Sequence, residues 1–205
     1  MKESIRCDLE NYIVNNILPQ YRNFDKAHGQ EHIEQVIAKS LFLAGKTGGD
    51  REMAYVIAAY HDIGMRVSRE DHGFQSAIIL KTDVYLPKWF DRQDITIMAQ
   101  AVEDHSTSLG KEPRSLYGKI IYQADKSLDA ETVIRRAVQF GAVHYKHYSF
   151  EEQVDRVYQY TNKKYGKNGL MKFWLDIPEE HSRLQRLRKK IKDREYVSNV
   201  CRKYY

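Results

Sequence analysis

The chemistry of this chain rests on residues that lie in order along its first two-thirds: His32, the adjacent pair His61-Asp62, and Asp125. Two further histidines, His72 and His105, fall between the pair and the last aspartate, so the order reads H…HD…H…H…D. Neutral imidazole and carboxylate are the ligands that suit a borderline or hard divalent cation, and a catalytic ion needs few protein ligands so that water keeps a position. Two histidines and two aspartates supply such a set. The dipeptide alone carries little weight: with 8 histidines and 14 aspartates in 205 residues, roughly half a His-Asp pair is expected by chance. Consecutive side chains on a helix diverge by about 100°, so His61 and Asp62 share one ion only where it lies against the end of their helix. His32 and Asp125 are then the ligands arriving from neighbouring elements. An ion held this way acidifies water toward hydroxide and neutralises a phosphoryl oxygen, the two requirements of phosphate-ester hydrolysis. Asp62 is also placed to orient that water.

The elements that must position these residues read as helices nearly throughout. The apolar spacing predicts helices from Ser4 to Leu18, stopping at Pro19, and from Gln30 to Ala44, with Ile33, Val36, Ile37 and Leu41 on one side. Asp50 stands where an N-cap belongs, ahead of a helix from Arg51 to Asp62. Further helices are expected from Gly73 to Val84, Asp91 to His105, Pro113 to Asp125, Leu128 to His144, Phe150 to Tyr165 and Pro178 to Tyr196, with Pro113 at a first helical position. No hairpin signal, internal repeat or low-complexity tract interrupts them. The expected fold class is all-α. Residues 162–169 are the best linker candidate.

With these helices and residues together, the chain resembles the HD-domain metal-dependent phosphohydrolase superfamily, whose motif is the same H…HD…D order on an all-helical scaffold. The resemblance covers about residues 25–140 and includes Asp25-Lys26-Ala27-His28-Gly29-Gln30-Glu31-His32 and Gln75-Ser76-Ala77 after His72. It implies an HD-domain helical bundle over residues 1–145. A helical extension, 146–205, would pack on that core and end in a basic amphipathic helix. It implies a divalent ion (Mn, Co, Mg, Ni or Fe) on His32, His61, Asp62 and Asp125, and hydrolysis of a small phosphorylated metabolite of the nucleotide kind. No Gly-Tyr-Pro triplet follows the pair, unlike the cyclic-dinucleotide phosphodiesterases. Ile63-Gly64 stands in place of the acidic pair of the alarmone hydrolases. What remains is similar to the small stand-alone HD hydrolases.

Three readings stay open for His72 and His105: ligands of a second ion, phosphate contacts or acid–base groups, or helix caps. His28, Arg66, Lys126 and Asp129 are candidates for supporting the ligands or binding substrate, and Arg69 shares with Arg66 the capacity to clamp a phosphate bidentately. His144 and His147 read as a surface helix end. Two rival functions fit the same pattern: a di-iron oxygenase on the same scaffold, and a metal-dependent ligand sensor whose basic helix contacts nucleic acid.

The net charge of +5 belongs to one end: residues 181–205 carry +7, leaving −2 before them. Leu184, Leu187 and Ile191 recur at helical spacing, which makes the surrounding cations the wet face of a packed helix rather than a nucleic-acid footprint. No apolar run approaches the ~20 residues that cross a bilayer, and the start has no signal-peptide pattern. A cytoplasmic protein is expected, with Cys7 and Cys201 as free thiols.

Overall fold

The computed structural model describes residues 4–25, 28–105 and 111–205, and among them the chain forms ten α-helices and no strand. Lys26 and Ala27 of the matching stretch, and Ser106 after His105, lie outside the described residues. The chain divides into two units, Met1–Asp125 and Lys126–Tyr205.

The first unit is built around one helix that is buried on every side. In α3 (Arg51–Tyr60) each residue from Glu52 to Tyr60 is buried, so the helix has to be covered all round. The helices α2 (Gln30–Thr47), α5 (Arg92–Asp104) and α6 (Leu116–Ala124) do so. Capping residues set where these elements start. Asp50 accepts the Met53 N–H at 2.9 Å, as expected; Asp91 accepts from Asp94 at 2.8 Å and Ser115 from Gly118 at 3.1 Å. Each oxygen satisfies one of the orphan donors of a first helical turn. Helix α2 begins after Gly29, with His28 outside it, and ends on Gly48, whose φ of +74° is the left-handed conformation that glycine accepts at no steric cost. Helix α4 (His72–Lys81) packs on α5.

Several expected boundaries move. The first segment does not stop at Pro19: α1 (Cys7–Tyr12) passes through a wide π-turn at Ile13–Ile17 into a 3₁₀ turn at Leu18–Asn23, where proline sits at the start and needs no N–H. Helix α6 starts three residues after Pro113, because Ser115 caps it. Helix α3 ends at Tyr60, so Asp62 stands beyond it.

In the second unit, α7 (Ala130–His144) and α8 (Phe150–Tyr165) pack with α9 (Pro178–Lys192) and α10 (Arg194–Tyr204) around two apolar clusters. The single helix expected from Pro178 to Tyr196 is broken. From α8, Asn162 Nδ2 donates to the Ile191 carbonyl at 2.9 Å and Tyr158 Oη to the Lys192 carbonyl at 3.4 Å, ending α9; Asp193 then caps α10 through the Tyr196 N–H at 3.1 Å. Leu184, Leu187 and Ile191 are buried, while Arg183, Arg186, Lys189, Lys190 and Lys192 are exposed, which is the solvated-face arrangement read from the spacing. The units divide at 125/126 and not at the 145/146 boundary read from the sequence, because α7 packs on α8 and α10. No described helix is long and apolar enough to cross a membrane.

Candidate metal centre

Five helices deliver the six residues of the H…HD…H…H…D order to one place. His32 lies in the first turn of α2 and His72 opens α4, whereas His61, His105 and Asp125 are the C-cap residues of α3, α5 and α6. Asp62 follows His61 in the turn that leaves α3. Three helix C-termini therefore end in candidate ligands, and the partial negative charge of such an end favours a cation.

The side chains form two sets joined by one carboxylate. In the first, Asp62 Oδ2 lies 3.2 Å from His61 Nε2 and 3.5 Å from His32 Nε2. Asp125 Oδ1 joins it at 3.3 Å from His32 Nε2 and 3.8 Å from His61 Nε2. In the second, Asp62 Oδ1 lies 3.4 Å from His105 Nε2 and 3.5 Å from His72 Nε2. His32, His61 and Asp62 together, and Asp62, His72 and His105 together, are the groupings whose ligand atoms are close enough to hold an ion, among the described residues.

The hydrogen bonds of the rings fix which nitrogen faces the centre. His61 Nδ1 bonds the Ala58 carbonyl at 2.8 Å, His72 Nδ1 the Arg69 carbonyl at 2.8 Å, and His105 Nδ1 the Val102 carbonyl at 2.5 Å. A carbonyl only accepts, so each Nδ1 carries a proton and Nε2 is the nitrogen left to face the centre, as in metal-ligating histidines. His72 and His105 bring their Nε2 atoms to 3.1 Å, and His32 and His61 bring theirs to 3.3 Å. Burial, and next the neighbouring His105, lower the His72 pKa. Imidazole nitrogens and carboxylate oxygens grouped this closely are the ligand atoms that suit a divalent cation. The donor set fits divalent ions in both positions.

Asp62 is the electrostatic centre. Burial alone would raise its pKa, but the imidazoles of His61, His105 and His32 outweigh that and hold the carboxyl well below the usual range. The backbone around it is tied down: Tyr21 Oη accepts the Asp62 N–H at 3.3 Å and donates to the Ala59 carbonyl at 3.0 Å, and Ser76 Oγ accepts the Gly64 N–H at 2.8 Å. Tyr21 carries no sequence signal for this role, and Ser76 stands in the sequence only as part of the Gln75-Ser76-Ala77 match, which does not point to it.

The other expected site residues take up contacts of their own. His28 Nδ1 pairs with Asp25 at 2.9 Å, and its ring centre lies 6.0 Å from that of His32; Arg69 donates to the same carboxylate at 2.8 Å. The Arg66 guanidinium donates to Gln20 at 2.6 Å on the surface. Asp129 caps α7 by accepting the Thr132 N–H at 2.8 Å, which accounts for the residue without a substrate. Lys126 is buried. The side chains of His72 and Asp125 are 23% and 18% exposed, while those of His32, His61, Asp62 and His105 are at most 5%, so the centre opens on the His72–Asp125 side. Beside His72 a cleft of about 340 Å³ runs between Phe74, Glu103 and Arg114.

Residues 29–129 match the family model of the HD domain. This is an HD-domain protein. The HD-domain protein also shares its fold with the crystal structure of a predicted HD superfamily hydrolase from an uncultured Thermotogales bacterium. The two are 20% identical with a TM-score of 0.56, over 95% of this chain and 92% of the other. None of the curated proteins matches the sequence significantly. The matched span begins before His32 and ends beyond Asp125, so it encloses all six residues of the centre.

Proposed function

We propose that this HD-domain protein is a divalent-metal-dependent phosphohydrolase of a small phosphorylated metabolite, and that the metabolite is a nucleotide. The observation that carries the reading is the Asp62 carboxylate, with Oδ2 toward His61 and His32 and Oδ1 toward His105 and His72. One carboxylate with an oxygen in each of two ligand sets is what a pair of neighbouring ions requires, and it favours the second-ion reading of His72 and His105 over phosphate contact or capping.

Bound divalent ions supply charge neutralisation at a phosphoryl oxygen and a water acidified toward hydroxide. The chain does the rest. Asp62, kept ionised by its imidazole neighbours, is a fixed negative charge and a hydrogen-bond acceptor that orients the attacking water. The buried His32, His61 and His105 keep bulk water from all but the open side, where a phosphate enters between His72 and Asp125. The leaving group then lies in the cleft beside His72. Phe74, 54% exposed and lining that cleft, offers a ring face on which a nucleobase stacks; that is the support for a nucleotide over a non-aromatic ester.

The test is a screen of nucleotides and non-aromatic phosphomonoesters against protein loaded with Mn, Co, Mg or Ni. Nucleotides are expected to turn over fastest. No turnover of any phosphate ester with any of these ions would remove the hydrolase reading; turnover confined to non-aromatic esters would remove the nucleotide and keep the hydrolase. A second reading is favoured by the ligand count. Four histidines and two aspartates form the six-ligand set that a di-iron oxygenase of this scaffold uses, and iron content with oxygen consumption would mark that enzyme instead.

A further inference from the structure

We infer that Tyr21 and Ser76 are positioning residues that hold the Asp62 carboxylate astride the two ligand sets, and that they set the affinity for the ions there. The inference rests on reading those sets as metal sites. A bridging carboxylate tolerates little rotation: its four distances to His61, His105, His32 and His72 all lie between 3.2 and 3.5 Å, and turning it toward one set takes an oxygen away from the other. Its orientation is inherited from the backbone where α3 ends, at φ −107° and ψ 0°.

That stretch of backbone is held from two sides by hydroxyls with no solvent exposure. Tyr21 spans the break in the helix, accepting from the Asp62 N–H beyond it and donating to the Ala59 carbonyl before it. Ser76 takes the Gly64 N–H, two residues on. Ser76 lies one helical turn after His72 on α4, so its bond joins the turn carrying Asp62 to the helix that presents His72. Tyr21 therefore acts on the carboxylate common to both sets, and Ser76 on the spacing between that carboxylate and the second set. Both work through peptide groups, in the manner of partners that orient ligands without touching the ion.

The test uses the full chain stripped of metal and titrated with Mn²⁺ by calorimetry, with the melting temperature of the stripped protein measured alongside. Wild type is expected to take up two ions. Tyr21→Phe keeps the ring and the core volume but leaves the Asp62 N–H and Ala59 carbonyl without this partner, and should weaken both ions by about 10–100-fold. Ser76→Ala should weaken one ion by a similar factor and leave the other within about twofold of wild type. A purely structural role would lower the melting temperature of the stripped protein and leave both affinities unchanged, and that result overturns the inference. Should Tyr21→Phe lose its helical signal, Ser76→Ala decides, since unchanged affinities there are equally fatal. A wild type that takes up no ion at all would instead overturn the metal reading underneath, so the two failures are distinguishable.

Discussion

Asp62→Ala is expected to strip the protein of both ions and to lower phosphohydrolase turnover on the order of a thousandfold or more, because charge neutralisation and hydroxide supply disappear together. Every other candidate ligand belongs to one set. His61 sits with His32 and Asp125, His72 with His105, and only Asp62 has an oxygen in each. His61→Ala should therefore empty the first set and leave ligands for the second, whereas Asp62→Ala removes a ligand and a negative charge from both. The fold should survive, since Asp62 stands beyond the end of α3 and packs against imidazoles instead of the apolar core. Elemental analysis, circular dichroism and turnover on the same preparation check the three parts. Wild-type metal content in this variant would show that Asp62 is not a shared ligand.

Gly64→Ala should be the most damaging substitution outside the ligands. A Cβ there would lie 2.3 Å from the His72 carbonyl oxygen and 2.5 Å from the Ser76 N, and both are backbone atoms of α4. Neither can swing aside as a long side chain does, so the helix or the turn has to move. Overpacking of this kind costs about 1–3 kcal/mol, and the movement separates His72 from Asp62 and breaks the Gly64–Ser76 bond. Denaturant unfolding should report the loss of stability, and metal analysis the loss of one ion in preference to the other. A variant with unchanged midpoint and ion content would mean that α4 is free to shift without consequence to the centre.

How much of this was legible in the sequence varied with how local the cause is. His32, His61, Asp62 and Asp125 were legible as candidates for one cluster because their types and order carry the information, and the all-helical class followed from periodicity that tertiary contacts did not override. The caps at Asp50 and Gly48 are equally local. His72 and His105 were legible as site residues but not in role. Whether they join a second set depends on Asp62 turning Oδ1 toward them at the end of α3, to 3.5 Å from His72 and 3.4 Å from His105. Tyr21 was out of reach, since its hydroxyl meets Asp62 across 41 residues of chain from a 3₁₀ turn with no motif. The break between α9 and α10 was hidden for a similar reason. Its local residues continue a helix, and what ends it is a pair of side chains from α8.

The central claim is that Asp62 joins two ion sites, and metal content per chain tests it most directly. Wild-type protein saturated with Mn²⁺ or Co²⁺ and freed of excess ion should carry two ions per chain by elemental analysis. The double variant His72→Ala, His105→Ala should carry one, still held by His32, His61, Asp62 and Asp125. A wild type with a single ion, unchanged in the double variant while turnover falls, would contradict the account and return His72 and His105 to contacts with the substrate phosphate.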